Sequence, residues 1–235
     1  MNTLRRLLVL LLVMSILSPQ KAVGAQPTVT ASLGASVYSV AAPSVVMIIM
    51  KDKAGKYAGK GSGFVICVCA HKYIATAAHC LDNPKYSYTV ILWDGSMLPV
   101  TKKALGNLTD DVALACVDES KLVGCPALTL ANQNALVGED VLALGYPWFF
   151  ENLCETRGVV SQYADLNNAH YIGFTATIWH GDSGGPLLDA RCHVVGVIDA
   201  MLVVPQNQES FYFAVPVSVL QSNLANMIHA LSKPS

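Results

Sequence analysis

From Gly63 to Val217 the chain is built of short apolar stretches separated by turn-forming clusters, and this pattern predicts strands rather than helices. The stretches fall at Gly63–Val68, Tyr73–Ala77, Tyr88–Trp93, Leu98–Lys103, Val112–Val117, Val141–Gly145, Thr156–Gln162, Tyr171–Thr175, Val194–Leu202 and Phe211–Val217. Asp94-Gly95, Gly106-Asn107, Gly138-Glu139-Asp140 and Asn167-Asn168 punctuate them with residues that tolerate tight turns. Only the ends differ. Ala31–Ser44 reads as a short helix stopped by Pro43, and Leu220, Leu224, Met227, Ile228 and Leu231 recur at helical spacing, predicting a helix over Ser218–Leu231 packed on the body. The expected class is all-β, a barrel or sandwich with a C-terminal helix. The strands form two groups, with a junction near residues 123–137, and a cleft between two such halves is where a pocket is expected.

The first residues carry a different pattern. Arg5 and Arg6 precede an apolar run from Leu7 to Leu17, and Val23-Gly24-Ala25 offers small residues after a polar break. The run is short of the roughly 20 residues a bilayer span needs, so residues 1–25 read as a cleaved signal peptide. The mature chain, residues 26–235, is then expected to be secreted or periplasmic, with no stable membrane anchor. With 235 residues, 53% of them hydrophobic, the chain can bury a core with no cofactor, and a net charge of −1 without a long basic run excludes nucleic acid as an expected partner. Export of seven cysteines predicts disulfides, with one thiol left over. Cys67 or Cys69 with Cys80 is the favoured pairing, across a turn at Ala70-His71-Lys72; Cys116 with Cys125 and Cys154 with Cys192 complete the set. A zinc site from Cys67, Cys69, His71 and Cys80 is disfavoured, because Cys-x-Cys on one strand does not give ordinary tetrahedral spacing, and no metal is expected.

The chemistry lies in three short motifs. Gly181-Asp182-Ser183-Gly184-Gly185-Pro186 sets a serine on a tight, backbone-exposed turn; Ala77-Ala78-His79-Cys80 supplies a base; Asp111, directly before Val112-Ala113-Leu114, supplies an acid. A serine hydroxyl attacks only when a base takes its proton, and histidine titrates in the right range to do so. Asp111 would orient the ring and stabilise its charged form; it is preferred to Asp110 because it abuts the apolar run. The backbone N–H groups of Gly181 and Ser183 would stabilise the oxyanion. His180, three residues before Ser183, is the other histidine expected near the cleft.

These motifs resemble those of the chymotrypsin-like serine proteases, and within them the high-temperature-requirement (Deg-like) branch. Pro43-Ser44-Val45-Val46, Gly61-Ser62-Gly63-Phe64, Gly145-Tyr146-Pro147, Gly158-Val159-Val160-Ser161 and Phe213-Ala214-Val215-Pro216 are similar to that branch's segments in the same order. The resemblance spans residues 41–217 and implies two six-stranded antiparallel β-barrels with the site between them, and endopeptidase activity on protein or peptide substrates. The residues after Ser183 are too few for the PDZ domain that the branch often carries. Asp182 stands where digestive-type relatives pair an acid with a newly freed N-terminus, yet no activation site precedes the body, so activity without trimming is expected. By motif position Thr177 lies at the base of the primary pocket, with Ala200, Met201 and Tyr212 as walls; lacking a charge, the pocket is expected to take a small or medium apolar side chain. An esterase, or a binding module on the same barrel, are the alternatives. The oligomeric state is left open.

Overall fold

The computed structural model describes residues 32–107, 109–166, 168–204 and 209–233; the signal-peptide reading therefore lies outside the described residues. Ser32 caps the first helix, α1 (Leu33–Ala41), its Oγ accepting the Ala35 N–H at 3.2 Å. Pro43 ends the helix as expected, through a 3-10 turn at Ala42–Ser44 that feeds directly into β1 (Val45–Lys51).

The first sheet adds β2 (Tyr57–Val68), β3 (His71–Ala77), β4 (Ser87–Ile91), β5 (Met97–Pro99), β6 (Lys102–Leu105) and β7 (Val112–Cys116), in the order β5-β4-β1-β2-β3-β7-β6. The stretch expected as one strand at Leu98–Lys103 is divided between β5 and β6. At the break, the N–H groups of Val100 and Thr101 donate to the carbonyls of Tyr88 and Cys116 on separate strands. This sheet curves into a half-barrel. The second sheet holds β8 (Thr129–Leu130), β9 (Asp140–Gly145), β10 (Cys154–Leu166), β11 (Ala169–Phe174), β12 (Pro186–Asp189), β13 (His193–Val204) and β14 (Glu209–Pro216). Its order is β12-β9-β10-β11-β14-β13-β8, and a further β12–β13 pairing closes six of these strands into the antiparallel barrel expected, with β8 joined in parallel to β13. The chain ends in α2 (Val217–Ser232), close to its expected bounds.

The register explains why several strands are apolar without alternation. Val141 and Ala143 fill the interior of the second barrel, while Leu142 and Leu144, on the opposite face, join a core shared with Phe64, Ile66 and Leu114 of the first sheet and Leu220 and Met227 of α2. In the first sheet Val65, Ala113 and Ala115 face inward, and Phe64, Ile66 and Leu114 face the second sheet. A strand with both faces covered reads as a continuous hydrophobic run. That is also why β1, Val-Val-Met-Ile-Ile-Met-Lys, gives no period-two signal.

The cysteine expectation is corrected by the same register. The β2–β3 hairpin turns at Cys69 and Ala70, with φ of 50° and 66°, rather than at residues 70–72, so Cys67 pairs with Lys72. Cys80 follows the far end of β3 and packs against Gly61, at the opposite end of the hairpin. All seven cysteines are free thiols, and none of the three expected disulfides is formed.

Candidate active site

Antiparallel pairing of Ala77 with Val112 brings the end of β3 beside the start of β7, and this places His79 next to Asp111. His79 lies in a 3-10 turn, Ala78–Cys80. Asp111 has a φ of 41°, a left-handed conformation that costs a non-glycine residue roughly 1–2 kcal/mol. Held there, it makes three contacts with that turn: its carbonyl accepts the Ala78 N–H at 3.0 Å, Oδ1 accepts the His79 N–H at 2.8 Å, and Oδ2 lies 2.6 Å from His79 Nδ1. Asp110 instead accepts from Asn107 and Asn223, so Asp111 is the acid that meets the ring.

Ser183 arrives from the other sheet, in the turn between β11 and β12. Gly181 has a φ of +101°, and a Cβ there would lie 2.5 Å from the Tyr146 carbonyl oxygen. Gly184, at φ +86°, passes so near the first sheet that a Cβ would sit 2.2 Å from the Ser62 carbonyl oxygen. Only glycine permits both the dihedral and the approach. Ser62, fully buried on β2, fastens this turn across the sheets. Its N–H donates to the Ser183 carbonyl at 2.8 Å, its Oγ donates to the Gly181 carbonyl at 2.7 Å, and the same Oγ accepts the Tyr146 N–H at 2.8 Å. The N–H groups of Gly181 and Ser183 find no acceptor among the described residues, so both are free to donate to a developing oxyanion.

The Ser183 hydroxyl donates to the Asp199 carbonyl at 2.9 Å, rather than to His79. Both residues nevertheless line one cavity of about 480 Å³, with Met50, Lys60, Cys80, Trp148, Phe149, His180 and Gly181. His180 thus lines the cleft as expected, whereas Thr177, Ala200, Met201 and Tyr212 do not line this cavity. Met201 and Tyr212 are cross-strand partners on β13 and β14, and the Tyr212 ring packs 6.3 Å from that of Phe174. A larger cavity, about 770 Å³ and rich in aromatic side chains, shares Lys60 and Trp148 but holds none of His79, Asp111 or Ser183. Chemistry, not volume, marks the site.

Charge follows geometry. Burial acts to lower the His79 pKa, but hydrogen bonds to Asp111 and Cys80, with the charge of those groups, outweigh it and push it up to about 11. Burial acts to raise Asp111, yet the His79 hydrogen bond and charge hold it below its ordinary value. A second acid, Asp199, lies with Oδ1 3.7 Å from His79 Nδ1; burial first, then Asp111, pushes it up to about 7. Asp182 is likewise pushed by burial to about 6: its Oδ2 accepts the Trp179 N–H at 2.8 Å, and its buried Oδ1 has no partner among the described residues.

Three participants escaped sequence reasoning. Ser62 lies inside Gly61-Ser62-Gly63-Phe64, a segment that contributed only to the resemblance. Lys60 ties the loop of Pro147 and Phe150 to β2, donating to their carbonyls at 2.7 and 2.6 Å. Asp199 left a signal: it is the sole charged residue in the apolar run Val194–Leu202.

Comparison with known proteins bears on the family and the fold. A family model described as "Trypsin-like peptidase domain" matches residues 61–197. A probable periplasmic serine endoprotease, DegP-like, of Pseudomonas savastanoi pv. phaseolicola is 35% identical over 180 residues, covering 74% of this chain and 36% of the relative. Periplasmic serine endoprotease DegP of Salmonella typhimurium is 30% identical over 180 residues, with the same coverage of 74% and 36%. The chain thus spans about a third of the length of these relatives. Among solved structures, the serine endoprotease from Yersinia pestis superimposes with a TM-score of 0.70 at 25% identity, covering 86% of this chain and 68% of that one. The active form of the Rv3671c protease from M. tuberculosis gives 0.66 at 25% identity, covering 81% and 83%.

Proposed function

Since this chain belongs to the trypsin-like peptidase family, we propose that it is a serine endopeptidase, cleaving peptide bonds through an acyl-enzyme on Ser183. The observation that carries the reading is the meeting of His79 Nδ1 with Asp111 Oδ2 at 2.6 Å, on the wall of the cavity that also holds Ser183. Asp111 holds the ring with its other nitrogen, Nε2, available to the hydroxyl. To donate to His79 the Ser183 hydroxyl must leave the Asp199 carbonyl, and catalytic hydrogen bonds often tighten only when substrate binds.

In this mechanism His79 takes the Ser183 proton as Oγ attacks the carbonyl carbon. The oxyanion is met by the N–H groups of Gly181 and Ser183, each such donor contributing about 10²–10³ in turnover. His79, now protonated, gives its proton to the leaving amine; water repeats the sequence to free Ser183. Substrates are polypeptides. Export to the periplasm or beyond is part of the same reading: it rests on the signal-like pattern of residues 1–25 and on relatives named as periplasmic. Thr177, Ala200, Met201 and Tyr212 are retained as the primary pocket on motif position alone, and activity is expected without prior trimming.

The test is covalent labelling by a fluorophosphonate, read by mass spectrometry. Assayed across a pH range that reaches above the His79 titration, folded protein should gain one adduct on Ser183, lost in His79→Ala, and should cut an unbiased peptide mixture. Folded protein that neither labels nor cuts would support a binding module instead, and labelling with cleavage of esters but not peptides would support an esterase.

A further inference from the structure

We propose that Asp199, whose carboxyl lies 3.7 Å from the His79 ring, is a positioning residue that helps set the pH at which His79 becomes free to accept a proton. The inference rests on the peptidase reading of the same site, and deepens it by assigning a second acid to the base.

The geometry begins with a β-bulge. The β13–β14 register shifts between Ile198 and Ala200, leaving Asp199 as the unmatched residue. Bulges re-aim side chains, and this one turns a carboxyl out of an apolar strand into the junction between the sheets, where it is 9% exposed. One Asp199 oxygen, one Asp111 oxygen and one His79 ring nitrogen all lie within 4.8 Å of one another. The same residue's carbonyl accepts the Ser183 hydroxyl. Asp199 thus touches all three members of the site, two by its side chain and one by its backbone.

The groups around this cluster decide its charge. The His79 ring is faced by Asp111 from the segment ahead of β7, by Asp199 from β13 and by the Cys80 thiol of its own turn. Asp199 is faced by Asp111, by His79 and by the Tyr171 hydroxyl from β11. Lys60 and His180 line the cavity beside His79, and among the described residues neither forms an ion pair with Asp111 or Asp199. Among the described residues, His79 is therefore the cation shared by the buried Asp199 carboxyl and the half-buried Asp111 carboxyl.

Two carboxyls this close cannot both ionise cheaply, so at acid pH they hold one proton between them while His79 holds another. That state is neutral overall. Losing one proton leaves a single negative charge; losing the second, which the base must do if Asp199 has already ionised, leaves two negative charges buried side by side. Asp199 near 7 ionises first, and its new charge then stabilises the imidazolium. In a site with one acid, the histidine sheds its proton against a single carboxylate. Here it must shed it against two.

The experiment follows the His79 ring by NMR titration, and the pH dependence of fluorophosphonate labelling, in wild-type protein and in Asp199→Asn. Asparagine keeps the shape and the hydrogen bonding of the protonated acid but cannot ionise. The His79 titration in wild type should lie above the ordinary histidine range and should fall by about 1–3 units in the variant, with the acid limb of labelling moving to lower pH by the same amount. A His79 titration that is the same in both proteins would overturn the proposal. So would labelling reduced by one constant factor at every pH, the mark of a purely structural residue. Should Asp199→Asn fail to fold, Asp199→Ser takes its place with the same fall expected, and a wild-type ring titrating at the ordinary value for histidine excludes a second ionised carboxyl beside it. A protein that never labels, yet shows the shift in titration, keeps the assignment of Asp199 and loses the peptidase reading.

Discussion

Asp182 shows how one side chain carries two demands. It precedes Ser183 and must be buried for the turn to sit against Gly145 and Tyr146, yet its Oδ1 gains no hydrogen bond among the described residues in return. Its carboxyl, pushed by burial from 3.8 to about 6, binds a proton in the folded protein that the unfolded chain has already released. Between about pH 4 and 6 the folded state therefore holds more protons than the unfolded, and the stability Asp182 contributes falls as pH rises through that window, then levels off. The amplitude is on the order of 2–3 kcal/mol. Asp182→Asn keeps an oxygen for the Trp179 N–H and removes the titration. Urea unfolding at pH 4 and pH 7 should show the variant gaining stability relative to wild type at the higher pH; equal differences at both would refute the assignment. The strained Asp111 belongs to the same scale. Its left-handed backbone is what lets one residue accept the Ala78 amide and the His79 amide and meet the His79 ring together.

At the scale of elements, α2 is more than a cover for the core. Leu220, Met227 and Leu231 bury one face, and Asn223, on the same buried side, reaches the loop that carries the acid. Its Oδ1 accepts the Asn107 N–H at 2.9 Å, and its Nδ2 donates to Asp110 Oδ2 at 2.7 Å, next to Asp111. Asn223→Ala should cost about 1–3 kcal/mol, because buried partners lose their hydrogen bonds. It should also slow labelling of Ser183 at pH values where the wild type is active, while the folded population, checked by circular dichroism, stays near complete. Unchanged labelling would mean that the loop is held without the helix. The periodicity of Leu220, Leu224, Met227, Ile228 and Leu231 made this helix legible in the sequence; the polar tether on it was not, since one asparagine in a helix carries no sign of what it touches. Most strands were likewise legible, β9 with both its faces covered among them, but β1 was not.

For the whole molecule, the two sheets share one apolar core and one set of polar fasteners, and no covalent cross-link joins the described residues. Cohesion then comes from burial rather than from disulfides. Losing a native disulfide typically costs 2–5 kcal/mol. Purified protein should accordingly unfold at the same urea midpoint with and without reductant, and a thiol titration of denatured protein should return all seven cysteines. A midpoint lowered by reductant would restore the bridged arrangement expected from export. The cysteine count misled because a pairing depends on which ends of a hairpin meet, and Cys80 meets Gly61 instead of Cys67 or Cys69.

Some properties of this chain are local and so can be read from residue order: where turns interrupt apolar runs, where a terminal helix repeats, and which serine, histidine and aspartate stand in motifs of the proposed chemistry. Those depend on neighbours a few positions away, or on residue types that few other roles require. Tertiary structure alone decided that Asp111 would stand in a left-handed conformation, that Ser62 would clasp the Ser183 turn, that the first sheet would remain a half-barrel, and that a bulge would aim Asp199 at His79. Each of these depends on distances between segments far apart in the chain, and strand register, which sets those distances, is a property of the packed sheets together.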